Sequence, residues 1–91
     1  MSAPLVDVEA EIRRRLEPLA PSSLHLENES ALHAGHAGSK EGGHYRLTIV
    51  SHQFQGLNAV ARHRLVYQSL GDLMQKGIHA LAVSAFTPEE F

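Results

Sequence analysis

Three of the seven histidines in this 91-residue chain fall within twelve residues, in the stretch HAGHAGSKEGGH at 33–44, together with four glycines. Imidazole is a borderline ligand for iron and zinc and titrates near neutral pH, so His33, His36 and His44 are the first residues that could do chemistry. The same stretch contains a Gly-x-x-Gly at 35–38, the pattern that cradles a sugar–phosphate backbone in some nucleic-acid-binding domains. Local composition does not choose between a ligand loop, a phosphate cradle and a solvated connection. A His33-x-x-His36 pair supplies only two donors, whereas a structural zinc site closes with four.

Elsewhere His79 sits at the head of an apolar segment, and His63 lies between Arg62 and Arg64. His79 reads as a packed strand histidine or a ligand, and the Arg62-His63-Arg64 cluster as a solvated helix face or a contact for a partner or nucleic acid. His25 and His52 read as surface residues. The chain has no cysteine, which excludes internal disulfides and an all-thiolate metal site and fits a reducing compartment. It has no Gly-x-Ser-x-Gly elbow and no Walker-type loop, and is read as a non-enzyme. A net charge of −2 argues against a generic polyanion-coating protein, though not against a local basic face.

These residues must be positioned by the elements around them. Leu5, Val8, Ile12, Leu16 and Leu19 recur at helical spacing, and Pro18 disfavours helical geometry at Glu17, which predicts a helix ending there. LHLENE and HYRLTIV alternate apolar and polar residues as half-buried strands and flank the histidine-rich loop. Phe54 is placed to plug the core. LNAVARHRLVYQSLGDLMQKG is helical, as one or two helices with Asn58 as a cap, an apolar face of Val66, Leu70, Leu73 and Met74, and Gly77 as the stop. IHALAVSAF reads as a third strand whose alanines leave room for close helix packing. Thr87, Pro88 and Glu90 form a capping box that opens a last helical turn. Arg13, Arg14 and Arg15 mark the solvated side of the first helix. The order predicts a single α+β domain over 1–91, with a three-stranded mixed sheet covered by helices on one face.

NES at 28–30, FQG at 54–56, RHRLVY at 62–67, IHALAV at 78–83 and TPEEF at 87–91 together resemble the BolA family, in its order and spacing and over almost the whole chain. The resemblance implies a class II KH-like fold. It also implies a heterodimer with a monothiol glutaredoxin that shares a glutathione-dependent [2Fe-2S] cluster, in iron–sulfur maturation, iron regulation or redox signalling. His79 then matches the family's histidine near the start of the last strand, and His33 matches the loop ligand, with His36 as a second candidate for that role. No cluster is expected in the isolated chain, which is read as a cytoplasmic monomer or weak homodimer. The chain departs from the family in a loop about two residues longer, which carries the extra His36, and in ending on Phe91 where tryptophan is commoner.

The KH-like fold also supports an alternative, a nucleic-acid-binding transcriptional regulator that uses Arg62, His63 and Arg64. The Gly-x-x-Gly at 35–38 does not serve it, because it lies between strands. Between the helices, where a KH domain carries the motif, the chain has Gly56 and no second glycine.

Overall fold

The computed structural model describes residues 7–29 and 43–91. Expectations for Leu5, His33, His36 and the glycines at 35 and 38 lie outside the described residues. Helix α1 runs Val8–Leu16 and is followed by a 3-10 turn, Glu17–Leu19. Strand β1 is Ser23–Asn28 and β2 is Gly43–Val50. A second 3-10 turn, His52–Phe54, leads to α2 at Ala59–Leu70, α3 at Leu73–Lys76 and β3 at Ile78–Phe86. This is the α-β-β-α-α-β order expected of a class II KH-like fold.

The strand order is β1-β2-β3, with β1 antiparallel and β3 parallel to β2, so the sheet is mixed as predicted. Registers Leu26↔Leu47↔Val83 and Leu24↔Ile49↔Ala85 put these side chains on one face. That face packs against Ile12 and Leu16 of α1, Phe54, Val66 and Leu70 of α2, and Leu73. Each large apolar side chain fully buried there stabilises the fold by about 1.5–3 kcal/mol over its exposed state. Period-2 alternation sends His25, Glu27, His44, Arg46, Ala80, Ala82 and Ser84 to the other face. Ala80 and Ala82 are therefore exposed. Of the three alanines expected to pack under a helix, only Ala85 lies against the core.

The helix ends follow from local chemistry. Asp7 caps α1 by accepting from Ala10 N–H at 3.2 Å, and Asn58 caps α2 by accepting from Ala61 N–H at 2.9 Å. The α-helix stops at Leu16 as expected, yet Glu17 keeps helical dihedrals. What Pro18 removes is the N–H that would have continued the ladder, and the chain tightens to 3-10 geometry instead. The long helical stretch breaks into two at Gly71, whose φ of +58° suits only glycine. Arg15 corrects the reading of 13–15 as a wholly solvated face. Its guanidinium donates to Glu11, to the Leu70 carbonyl at 2.8 Å and to Asp72 at 2.6 Å, tying α1 to the end of α2.

The C-terminal capping box forms, with Thr87 N–H donating to Glu90 Oε1 at 2.9 Å. Beyond it the chain makes tight turns, Glu90 N–H to Thr87 O and Phe91 N–H to Pro88 O, rather than an α-helical turn. Phe91 packs on Phe86 with ring centroids 5.6 Å apart.

Candidate metal-ligating site

His79 occupies an irregular point in the sheet. Gly43 pairs with Ile78, but the next residue of β2, His44, pairs with Ala80. His79 is the extra residue of a β-bulge, a device that re-aims a side chain out of regular alternation. Ile78 beside it is buried and anchors the strand, while His79 itself is exposed. The rings of His44 and His79 come together with centroids 5.0 Å apart and planes tilted by 50°.

The two stems of the 30–42 segment are fixed at the same end of the sheet. Glu29 N–H donates to the His44 carbonyl at 2.7 Å, and Gly43 N–H donates to the Gly77 carbonyl at 3.2 Å. Gly43 is required here by close approach, because the Tyr45 ring lies where its Cβ would stand. Charges nearby are paired. Arg46 Nε binds Glu29 at 3.0 Å and lies 3.9 Å from Glu27, which also meets His25 at 3.1 Å. The Glu29 carboxylate raises the Arg46 pKa and holds it charged. The His44–His79 ring pair thus stands beside a compensated ion-pair row.

The Arg62-His63-Arg64 cluster divides. Arg62 donates to the Leu57 carbonyl at 2.8 Å, to the Ala85 carbonyl at 3.1 Å and through both terminal nitrogens to Glu90 at 2.6 and 3.0 Å. Its side chain is 14% exposed, so it braces α2 against β3 and the C-terminal turn. Arg64 points outward, and with Val60, His63, Tyr67 and Gln68 it lines a surface groove along α2. His63 meets Tyr67 edge-on at 6.4 Å. Lys76 is exposed but paired with Asp72 at 3.2 Å.

His44, at the start of β2, has its ring against that of His79. The signal for its placement was available in the topology. Two parallel strands that begin together put His44 and His79 side by side, once the crossover makes β3 parallel to β2. His33 and His36, the loop candidates, lie outside the described residues.

Comparison with known proteins fits this architecture. Residues 16–90 match the family model for BolA-like proteins. BolA-like protein 1 of Mus musculus is 44% identical over 91 residues, covering 99% of this chain and 65% of that protein. The chain thus spans a little under two thirds of that relative's length. The DNA-binding transcriptional regulator BolA of Haemophilus influenzae is 39% identical over 84 residues, with 92% of this chain and 77% of that protein covered. Among solved structures, the BolA domain of SufE1 from Arabidopsis thaliana superposes with a TM-score of 0.81 at 45% identity, covering 97% of this chain and all of that one.

Proposed function

This chain belongs to the BolA family, and we propose on that premise that it is a non-catalytic, cytoplasmic partner of a monothiol glutaredoxin. In this reading the pair shares a glutathione-dependent [2Fe-2S] cluster and serves iron–sulfur maturation, iron regulation or redox signalling. One observation carries it: His79 is the residue that the β2–β3 ladder passes over, exposed on a bulge beside the two anchored stems of the 30–42 segment.

The donor chemistry fits the group. The chain has no cysteine, so the thiolates come from the glutaredoxin and from glutathione. This protein supplies imidazole nitrogen from His79, with His33 as the loop ligand and His36 as its alternative. Such a cluster stores and passes single electrons, and histidine in place of thiolate raises its potential and couples it to protonation. The bulge holds His79 in place, and the Arg46–Glu29 pair keeps the adjoining stem closed on β2. The test is anaerobic mixing with a monothiol glutaredoxin, glutathione, iron and sulfide. The visible circular dichroism of the glutaredoxin cluster changes when this protein is added, and an unchanged spectrum defeats the reading.

A second reading is favoured by the name of the Haemophilus influenzae relative, a DNA-binding transcriptional regulator. With Arg62 held by Glu90, duplex contact falls to Arg64 and His63 on the α2 groove. It predicts binding that weakens as salt rises and that Arg64→Ala reduces. No binding at low salt to any duplex removes it.

A further inference from the structure

We propose that the outer edge of β3, together with the outer stripe of α2, docks a second copy of this chain by two-fold antiparallel pairing centred on Val83. The inference goes beyond both functional readings and depends on neither.

The backbone sets the edge. In the order β1-β2-β3, no strand lies beyond β3 among the described residues. Ser51 N–H donates to the Phe86 carbonyl at 2.9 Å, so Phe86 turns its backbone groups towards β2. Alternation along the strand then turns those of Leu81, Val83 and Ala85 outward. Two α2 side chains meet this outward row: Tyr67 Oη donates to the Leu81 carbonyl at 3.4 Å, and Arg62 Nη1 to the Ala85 carbonyl at 3.1 Å. Between these two occupied carbonyls lie the N–H and C=O of Val83. Facing residues of an antiparallel pair exchange both bonds, so Val83 and the partner's Val83 satisfy each other.

Charge and symmetry select a second copy. β3, with the sequence IHALAVSAF, carries no Lys, Arg, Asp, Glu or Pro, the residues that natural edge strands use against pairing. Two-fold rotation about Val83 sets Ala82 opposite the partner's Ser84, and both positions are exposed and uncharged. The other margin, β1, shows His25 and Glu27 beside Arg46. Those charges disfavour a head-to-tail contact of β3 with β1, which would grow without closing.

Helix α2 supplies the rest of the surface. The bonds from Arg62 and Tyr67 lay it along the outer margin of β3, running the opposite way. Val60, His63, Arg64, Tyr67 and Gln68 recur at helical spacing along its groove. Val60 and Tyr67 are 63% and 37% exposed, large apolar side chains open to solvent. The same two-fold axis brings Val60 towards the partner's Tyr67, with Arg64 near the axis, where like charge opposes pairing. A window this short, opposed by charge at its centre, gives a weak and reversible dimer rather than an obligate one.

The experiment is sedimentation velocity of the free protein up to about 1 mM, a range in which weak association registers, at low and high salt. Melting curves verify that each variant folds. A monomer–dimer equilibrium is expected, strengthened by salt because screening relieves Arg64. Nucleic-acid binding responds to salt in the opposite sense. Ala82→Lys with Ser84→Lys sets two like-charged pairs across the axis and is expected to weaken dimerisation roughly tenfold. Ala82→Glu with Ser84→Lys makes the same pairs attractive and is expected to dimerise at least as tightly as the unaltered chain. A chain that stays monomeric throughout, a double-lysine variant that dimerises normally, or equal losses in both charge variants would each overturn the proposal. The assay contains no glutaredoxin, cluster or nucleic acid, so its failure and the failure of either functional reading are separate results.

Discussion

His44 pairs with Ala80 and not with His79, yet its ring lies 5.0 Å from that of His79. The bulge separates the ladder from the side chain: β3 is held by its neighbours, so His79 is free of a structural task. His79→Ala is therefore expected to change unfolding free energy by less than about 0.5 kcal/mol, as for an exposed residue. Urea denaturation of the two proteins checks this, and a loss of more than about 1 kcal/mol would show that the ring has a packing role.

Arg62 and Arg64 separate in the same way. Arg62→Ala removes bonds to two backbone carbonyls and Glu90, and a melting midpoint lower by roughly 5 °C or more is expected for a domain of this size. Arg64→Ala, on the exposed side of α2, is expected to leave the midpoint within about 2 °C. Thermal melts of both variants decide between this division and a single basic cluster.

Acid should loosen the clamps on Glu11 and Glu90. Hydrogen bonds from Arg14 and then Arg15 hold Glu11 down to about 2 from an ordinary 4.5, and Arg62 holds Glu90 down to about 2. Both are depressed in the folded state, so their stabilisation is complete above pH 4.5 and fades as pH falls towards 2. Melting points of the protein and of Glu90→Gln are expected to converge across that window. A constant difference between them would contradict the assignment.

Ser51 is a buried hub. Its hydroxyl donates to the Leu19 carbonyl and accepts from Gln53 N–H at 3.0 Å, joining the turn after α1 to the turn before α2. Ser51→Ala leaves that carbonyl without its donor and is expected to cost about 1–2 kcal/mol by chemical denaturation. A neutral result would mean the hydrogen bond contributes nothing net.

The elements were legible because their signals are local. Asn58, Pro18 and Gly77 act on neighbouring backbone, and the alternation in HYRLTIV reports directly which residues face the core. The apolar face of the helical stretch was equally visible, with Val66 and Leu70 of α2 and Leu73 of α3 buried. Features that depend on long-range register were not. The bulge at His79 is a mismatch between two strands more than thirty residues apart, and no property of IHALAV encodes it alone. The roles of Arg15 and Arg62 depend on carbonyls at Leu70 and Ala85, contributed by other elements. Residue type marked these arginines as charged, and only packing made them internal braces.

The central claim is that His79 ligates a cluster shared with a glutaredoxin. Its most direct test is visible circular dichroism of the anaerobically reconstituted heterodimer, comparing the unaltered chain, His79→Ala and His25→Ala. His25 is an exposed histidine on β1, paired with Glu27, and serves as the control. The account predicts that His79→Ala alone loses the heterodimer spectrum and reverts to that of the glutaredoxin, while His25→Ala retains it. A His79→Ala heterodimer with an unchanged spectrum would contradict it.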